Sequence, residues 1–171
     1  MHPESYNEMA RLIATYLSPK EKLRILDVGS FDVNGSYRYL IDNENWKYEG
    51  GDMAAGPNVE HVFTDPYHWG LDDEIFDVVM SGQTFEHIPY FWLAWREIVR
   101  VLKPGGLIFL IAPSCGPEHR YPVDCWRFYR DGFRALGDLE NLVVLEAETK
   151  WENPWGDTIG VYWKPLSIQS P

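Results

Sequence analysis

Short apolar runs alternate with amphipathic stretches along this chain, the pattern of an α/β fold around a mainly parallel sheet. From Pro3 to Leu17, the residues Met9, Leu12, Ile13 and Tyr16 recur on one helical face, and Ser18-Pro19 ends the segment. LRILDVG follows, and its Leu23, Ile25, Leu26 and Val28 are too apolar for a half-exposed strand, so they predict a central one covered on both faces. WKYEGGD and VEHVFTD read as the second and third strands, ending on Asp52 and Asp65. IFDVVMSG and GLIFLIAPS are the fourth and fifth, flanking a helix from about Pro89 to Leu102 in which Phe91, Trp95, Ile98 and Leu102 repeat at helical spacing. Pro89 suits its first turn, and Lys103-Pro104-Gly105-Gly106 stops it. After a loop from Pro113 to Asp124, a helix around Phe128 to Leu136 leads to NLVVLEAETKW and TIGVYWKP, two strands separated by a turn at Asn153 to Asp157. The expectation is a seven-stranded mixed sheet, mostly parallel with a C-terminal antiparallel hairpin, and helices on both faces.

The turn after the first strand reads Asp27-Val28-Gly29-Ser30-Phe31-Asp32-Val33-Asn34-Gly35. In an open α/β sheet, ligands bind at such a turn, outside the carboxyl end of a central strand. Gly29 and Gly35 permit close backbone approach there. The spacing differs from the G-x-G-x-x-G of dinucleotide binders, and Asp32 sets a carboxylate where that fingerprint serves a pyrophosphate. Asp52, ending the second strand, stands where an acidic side chain accepts hydrogen bonds from a ribose. Asp65, just before Pro66, reads either as a cap or as a contact to the base of such a ligand.

Length and charge narrow the picture. The 171 residues suit one domain spanning 1–171, with no room for a second folded unit of ordinary size. With 26 acidic against 15 basic residues the net charge is -11, which disfavours nucleic acid as a partner. The opening MHPESYNEMARLIATYL lacks a cationic start followed by an apolar run, so neither a signal peptide nor a membrane span is expected, and a cytoplasmic location is. Cys115 and Cys125 form no framework and read as reduced thiols.

ILDVGS, YEGGDM, FDVVMSGQTFEHI and VLKPGGLIFLIAPS, running in order from residue 24 to 114, resemble the successive motifs of class I S-adenosylmethionine-dependent methyltransferases. The likeness is nearest to the bacterial small-molecule "type 11" group, and HRYPVDCWRFYRDGF resembles a segment that often follows their fifth strand. It implies a Rossmann-like fold, S-adenosylmethionine as cofactor and S-adenosylhomocysteine as product. It also implies that Asp27, Gly29 and Ser30 hold the methionine end, that Asp52 binds the ribose and Met53 covers the adenine, and that Asp65 approaches the adenine amino group. Ser81, Gly82 and Gln83 would line the methionine and sulfonium region. The usual G-x-G pair is replaced by Gly29 and Gly35 with a longer loop between, which leaves the binding role of Phe31, Asp32 and Gly35 open.

Methyl transfer is an in-line displacement that mainly needs donor and acceptor aligned. A hydroxyl acceptor gains from a base, and His87 and His119 are the candidates; Glu86 and His87 read equally as residues that orient their loop. Metal binding by Glu86, His87 and His119, as in the similar E-x-x-E-H pattern of small-RNA 2′-O-methyltransferases, is not expected, because Gln83 replaces the first Glu. His119, Tyr121, Asp124 and Trp126, with Arg120 and Arg127 among them, are candidates for contacting a small-molecule acceptor, a sugar among the options, or for simply ordering the loop. With no long N-terminal cap or inserted lid, the acceptor site should be open or completed by a second subunit in a homodimer. Two alternatives stand beside this reading: a catalytically silent S-adenosylmethionine-binding partner protein, and an NAD-type oxidoreductase or epimerase.

Overall fold

The computed structural model describes residues 2–151 and 155–166. Its single sheet has the order β3-β2-β1-β4-β5-β7-β6. The strands are β1 (Leu23–Val28), β2 (Trp46–Asp52), β3 (His61–Val62), β4 (Phe76–Gly82), β5 (Leu102–Pro113), β6 (Val143–Thr149) and β7 (Asp157–Trp163), and the helices are α1 (Pro3–Tyr16), α2 (Phe91–Val101) and α3 (Arg130–Leu139). β1 to β5 pair in parallel, whereas β7 inserts antiparallel between β5 and β6. The expected mixed, mostly parallel Rossmann-like sheet is therefore present, hairpin included. Within the expected turn at Asn153 to Asp157, residues 153 and 154 lie outside the described residues.

Alternation along the strands builds two apolar layers. Ile25, Val78, Met80, Phe109, Ile111, Ile159 and Val161 face α1 through its Met9, Leu12 and Ile13. On the other face, Leu26, Val28, Val79, Ile108 and Leu110 meet Trp95 and Ile98 of α2 and Phe133 and Leu136 of α3. The same alternation puts Asp27 on the α1 face, buried. Between β1 and β2 the chain forms a short 3₁₀ turn, Tyr37–Leu40.

Two elements differ from their sequence expectation. The third strand pairs over only two residues, because Phe63 leaves the ladder to stack on Trp69, with ring centroids 4.7 Å apart, and Asp65-Pro66 then turns the chain. The fifth strand, expected from Gly106, starts at Leu102. Pairing with β4 shifts register between Phe76 and Val78, and Gly105, at φ +84°, lets the chain bulge while its N–H donates to the Lys164 carbonyl.

Candidate active site

The carboxyl ends of β1, β2 and β4 open into a cavity of about 590 Å³. The turn after β1 forms its floor. Gly29 adopts φ +83°, its N–H donates to the Gly51 carbonyl at 2.8 Å, and a Cβ built there would lie 2.1 Å from the Thr84 hydroxyl. Only glycine fits both the backbone and the space. Asp52 ties the loop to β2: one carboxylate oxygen accepts the Phe31 N–H at 3.1 Å and the other the Ala54 N–H at 3.0 Å. Each oxygen keeps a lone-pair direction for a further donor.

Of the expected cofactor residues, Asp27, Gly29, Ser30, Phe31, Asp52, Met53, Gly82 and Gln83 all line this cavity. Ser81 and Asp65 are not part of its wall. Ser81 is buried beneath it, its hydroxyl donating to the Val28 carbonyl at 2.9 Å, because the pleat turns it into the sheet. Asp65 is exposed and accepts the Tyr67 N–H at 2.7 Å, so it acts as the turn cap. Asp32 also faces away: it accepts the Gly35 N–H at 2.8 Å and the Asn58 side-chain amide at 3.3 Å. It staples the loop and does not point its charge at a ligand, which removes the sequence-level reason for excluding a pyrophosphate.

Other carboxyls supply that reason. Asp27, fully buried on the cavity floor, has its pKa pushed up to about 7 by burial, against the hydrogen bond it accepts from the Tyr48 hydroxyl at 2.8 Å; the negative charges of Asp52 and Glu60 push the same way as burial. Glu86, 4% exposed, is pushed up to about 8 by burial, with Asp124 and Asp157 adding to the effect and Arg127 opposing it. Among the described residues no lysine lines the cavity, and its arginine, Arg127, is paired with Asp124. Buried carboxyls with so little opposing charge favour a cationic ligand, whose charge would draw Asp27 and Glu86 from their protonated into their carboxylate forms.

A further part of the wall comes from the loop after β5. His119, Tyr121 and Asp124, the candidates for contacting an acceptor, line the cavity together with Pro122, Arg127 and Trp155. Asp124 is committed to the loop itself: it binds Arg127 in a forked ion pair and accepts the His119 N–H at 2.6 Å, and the Arg127 contact holds its carboxyl down at about 2. Trp126 stands outside the cavity wall, donating its indole N–H to the Ile88 carbonyl at 3.1 Å and packing on Phe91 and Trp92. His87 is placed between these parts. Its Nδ1 lies 2.6 Å from the Val123 carbonyl, which can only accept, so Nδ1 carries the hydrogen and Nε2 keeps its lone pair. Burial lowers its pKa, which favours the neutral ring. The His119 and Tyr121 rings lie 6.0 and 6.4 Å from it.

Several lining residues escaped sequence reasoning. His2 faces Asp157 at 3.3 Å, and Asp157 accepts a hydrogen bond from Gln83, so the start of α1 closes one end of the cavity. Thr84 lies within the motif FDVVMSGQTFEHI but was not singled out, while Tyr37, the stacked Phe63 and Trp69, and Trp155 come from segments with no ligand-like pattern of their own. A helix start and a β3 exit meet here only through the sheet order.

Residues 38–110 match the family model of a methyltransferase domain. The chain is 25% identical to the chloroplastic tocopherol O-methyltransferase of Arabidopsis thaliana, over 84% of this chain and 49% of that protein. It is 32% identical to a demethylmenaquinone methyltransferase of Staphylococcus epidermidis, over 47% of this chain and 34% of the relative. It thus spans half or less of the length of these curated relatives. Among solved structures, phosphoethanolamine N-methyltransferase 2 of Haemonchus contortus, in complex with phosphomonomethylethanolamine and S-adenosylhomocysteine, superposes with a TM-score of 0.70 at 14% identity, over 94% of this chain and 52% of that one. The [4+2]-cyclase SpnF superposes with a TM-score of 0.69 at 16% identity, over 94% and 82%. The family match, over less than half of the chain, is to a methyltransferase domain, and the fold is the one these solved structures share.

Proposed function

We propose that this chain transfers the methyl group of S-adenosylmethionine to a small-molecule oxygen or nitrogen acceptor. The observation that carries the reading is the carboxyl-floored cavity at the β1, β2 and β4 ends, whose donor set fits a ligand carrying an ammonium and a sulfonium. Asp27, Gly29, Ser30, Gly82 and Gln83 would hold the methionine end, Asp52 the ribose hydroxyls, and Phe31 and Met53 the adenine. When bound, the cofactor supplies the electrophilic methyl group. The chain's own task is then to align the acceptor, exclude water and take a proton where the acceptor is a hydroxyl. His87, with Nε2 bare, is the base in that case, while His119 and Tyr121 shape the acceptor wall. No described helix is long and apolar enough to cross a membrane. The acidic balance disfavours a nucleic-acid partner, and a cytoplasmic location and a homodimer belong to the same proposal.

Replacing Asp52 with alanine is expected to weaken S-adenosylhomocysteine binding by about 1.5–3 kcal/mol, since a charged hydrogen-bond acceptor and the anchor of Phe31 are lost together. Isothermal titration reads this, and an unchanged affinity would remove the ribose assignment. The acceptor wall should behave differently. His119→Ala combined with Tyr121→Ala should leave S-adenosylmethionine affinity within about threefold while slowing methyl transfer by about tenfold or more. If both quantities fall together, the loop belongs to the cofactor site; if neither falls, it is an ordered surface only.

A further inference from the structure

Gln83 follows β4 with φ +57°, in the left-handed region that side chains other than glycine seldom take. Such a conformation persists where its surroundings hold it, and here they hold the side chain as well. The Gln83 amide nitrogen donates to Oδ1 of Asp157 at 2.8 Å and to the Ser5 hydroxyl at 3.3 Å. A carboxylate offers only acceptors, so the nitrogen and not the oxygen of the amide faces Asp157. The Gln83 Oε1 takes no donor among the described residues and is not sealed inside the protein. On a side chain that lines the cavity, it is the atom left for a ligand.

Asp157 is itself held. It is buried at the start of β7, and its Oδ2 lies 3.3 Å from Nε2 of His2, a contact of charges more than an aligned hydrogen bond. The other ring nitrogen of His2, Nδ1, lies 3.1 Å from Glu4, so each nitrogen faces a carboxylate and the charged ring is favoured. Burial lowers the His2 pKa, but the Asp157 and Glu4 carboxylates outweigh it and leave it raised. Ser5 is fixed in turn by a 2.6 Å hydrogen bond with the Tyr37 hydroxyl. The start of α1 and the start of β7 thus act together on one amide.

Resting on the methyltransferase reading, we propose that His2 and Asp157 are positioning residues: they turn Gln83 so that its Oε1 accepts a hydrogen bond from the ammonium group of the cofactor's methionine end. The polarity agrees. A carboxylate that accepts the amide N–H pushes electron density toward Oε1 and strengthens it as an acceptor. His2 supplies the positive charge that lets Asp157 stay ionised while buried.

Isothermal titration with S-adenosylhomocysteine, and with its analogue in which hydrogen replaces the amino group, tests this. The native chain should prefer S-adenosylhomocysteine at least about tenfold. Asp157→Asn, near in shape, lets position 157 donate to Gln83, so the amide turns over and its oxygen leaves the cavity. S-adenosylhomocysteine should then weaken about tenfold and the analogue by less than about twofold. Asp157→Asn combined with Gln83→Glu again sets a donor against an acceptor and should bring the preference back. His2→Ala, which leaves the sheet untouched, should cut the preference about threefold, and it carries the test alone where Asp157→Asn does not fold. Both ligands weakening alike, an unchanged preference in these variants, no recovery in the exchanged pair, or a native chain that binds the two ligands equally overturns the proposal. Failure of S-adenosylhomocysteine to bind the native chain overturns the methyltransferase reading instead.

Discussion

Alanine at Gly29 is expected to reduce S-adenosylmethionine and S-adenosylhomocysteine binding at least about a hundredfold, roughly 2.7 kcal/mol. The side chain would have to take φ +83° and place its Cβ 2.1 Å from the Thr84 hydroxyl. Thr84 is itself held against the Gly82 carbonyl at 3.2 Å, so relief would shift the end of β4 as well as the loop after β1. Both segments line the proposed methionine site. Gly70 and Gly132 separate this effect from general damage. Gly70 also has positive φ, at +67°, but a Cβ there meets nothing within 4 Å, so Gly70→Ala should cost on the order of 1 kcal/mol of stability and leave binding unchanged. Gly132 lies in α3 with open space around it, so Gly132→Ala should stabilise the fold by roughly 0.5–1 kcal/mol. Titration and thermal melts of the three variants check the set; normal binding by Gly29→Ala would show that the loop after β1 is not the cofactor floor.

Stability of the ligand-free protein should fall as pH rises from about 5 to 8. Asp27 and Glu86 carry folded-state pKa values near 7 and 8, above their ordinary 3.8 and 4.5. Between those values the folded state holds protons that the unfolded state has released, so stability is full below the unfolded pKa and is lost as pH climbs through the folded one. The loss should be on the order of 3 kcal/mol for each group. Glu86→Gln should therefore melt higher than the native chain at pH 8 and alike at pH 5. Ligand binding couples to the same protons. A sulfonium and an ammonium favour the carboxylate forms, so S-adenosylmethionine should bind more tightly as pH rises across this window and release protons on binding near pH 7. S-adenosylhomocysteine, lacking the sulfonium, should release fewer. Titration in two buffers of different ionisation enthalpy measures the release, and melting points that stay flat from pH 5 to 8 would show that these carboxyls are not held protonated.

The parts of this molecule that sequence carries best are those set by local pattern. WKYEGGD forms β2 over the expected residues because its apolar positions and terminal Gly-Gly-Asp act within one strand. Asp52 and the loop after β1 could be located from strand order alone, since ligands gather at carboxyl ends of parallel strands. VEHVFTD shows the limit: its alternation is strand-like, yet Phe63 gains more by stacking on Trp69 than by continuing a two-residue edge ladder. Asp32 could have been read differently, because an Asp in a glycine-containing loop often turns its carboxylate onto nearby backbone N–H groups, as it does here onto that of Gly35. The contacts from His2 through Asp157 to Gln83 had no sequence signal. Whether such side chains meet depends on how the start of α1, β7 and the turn after β4 come together, which the topology decides.

Calorimetry of the protein with S-adenosylmethionine, S-adenosylhomocysteine and NAD tests the central claim most directly. Both sulfur ligands should bind one per chain. NAD should bind at least about tenfold more weakly, a gap of roughly 1.4 kcal/mol, because its pyrophosphate would enter a cavity floored by Asp27, Asp52 and Glu86 with no lysine in the described wall. NAD binding as tightly as S-adenosylhomocysteine, or neither sulfur ligand binding at all, would contradict the account.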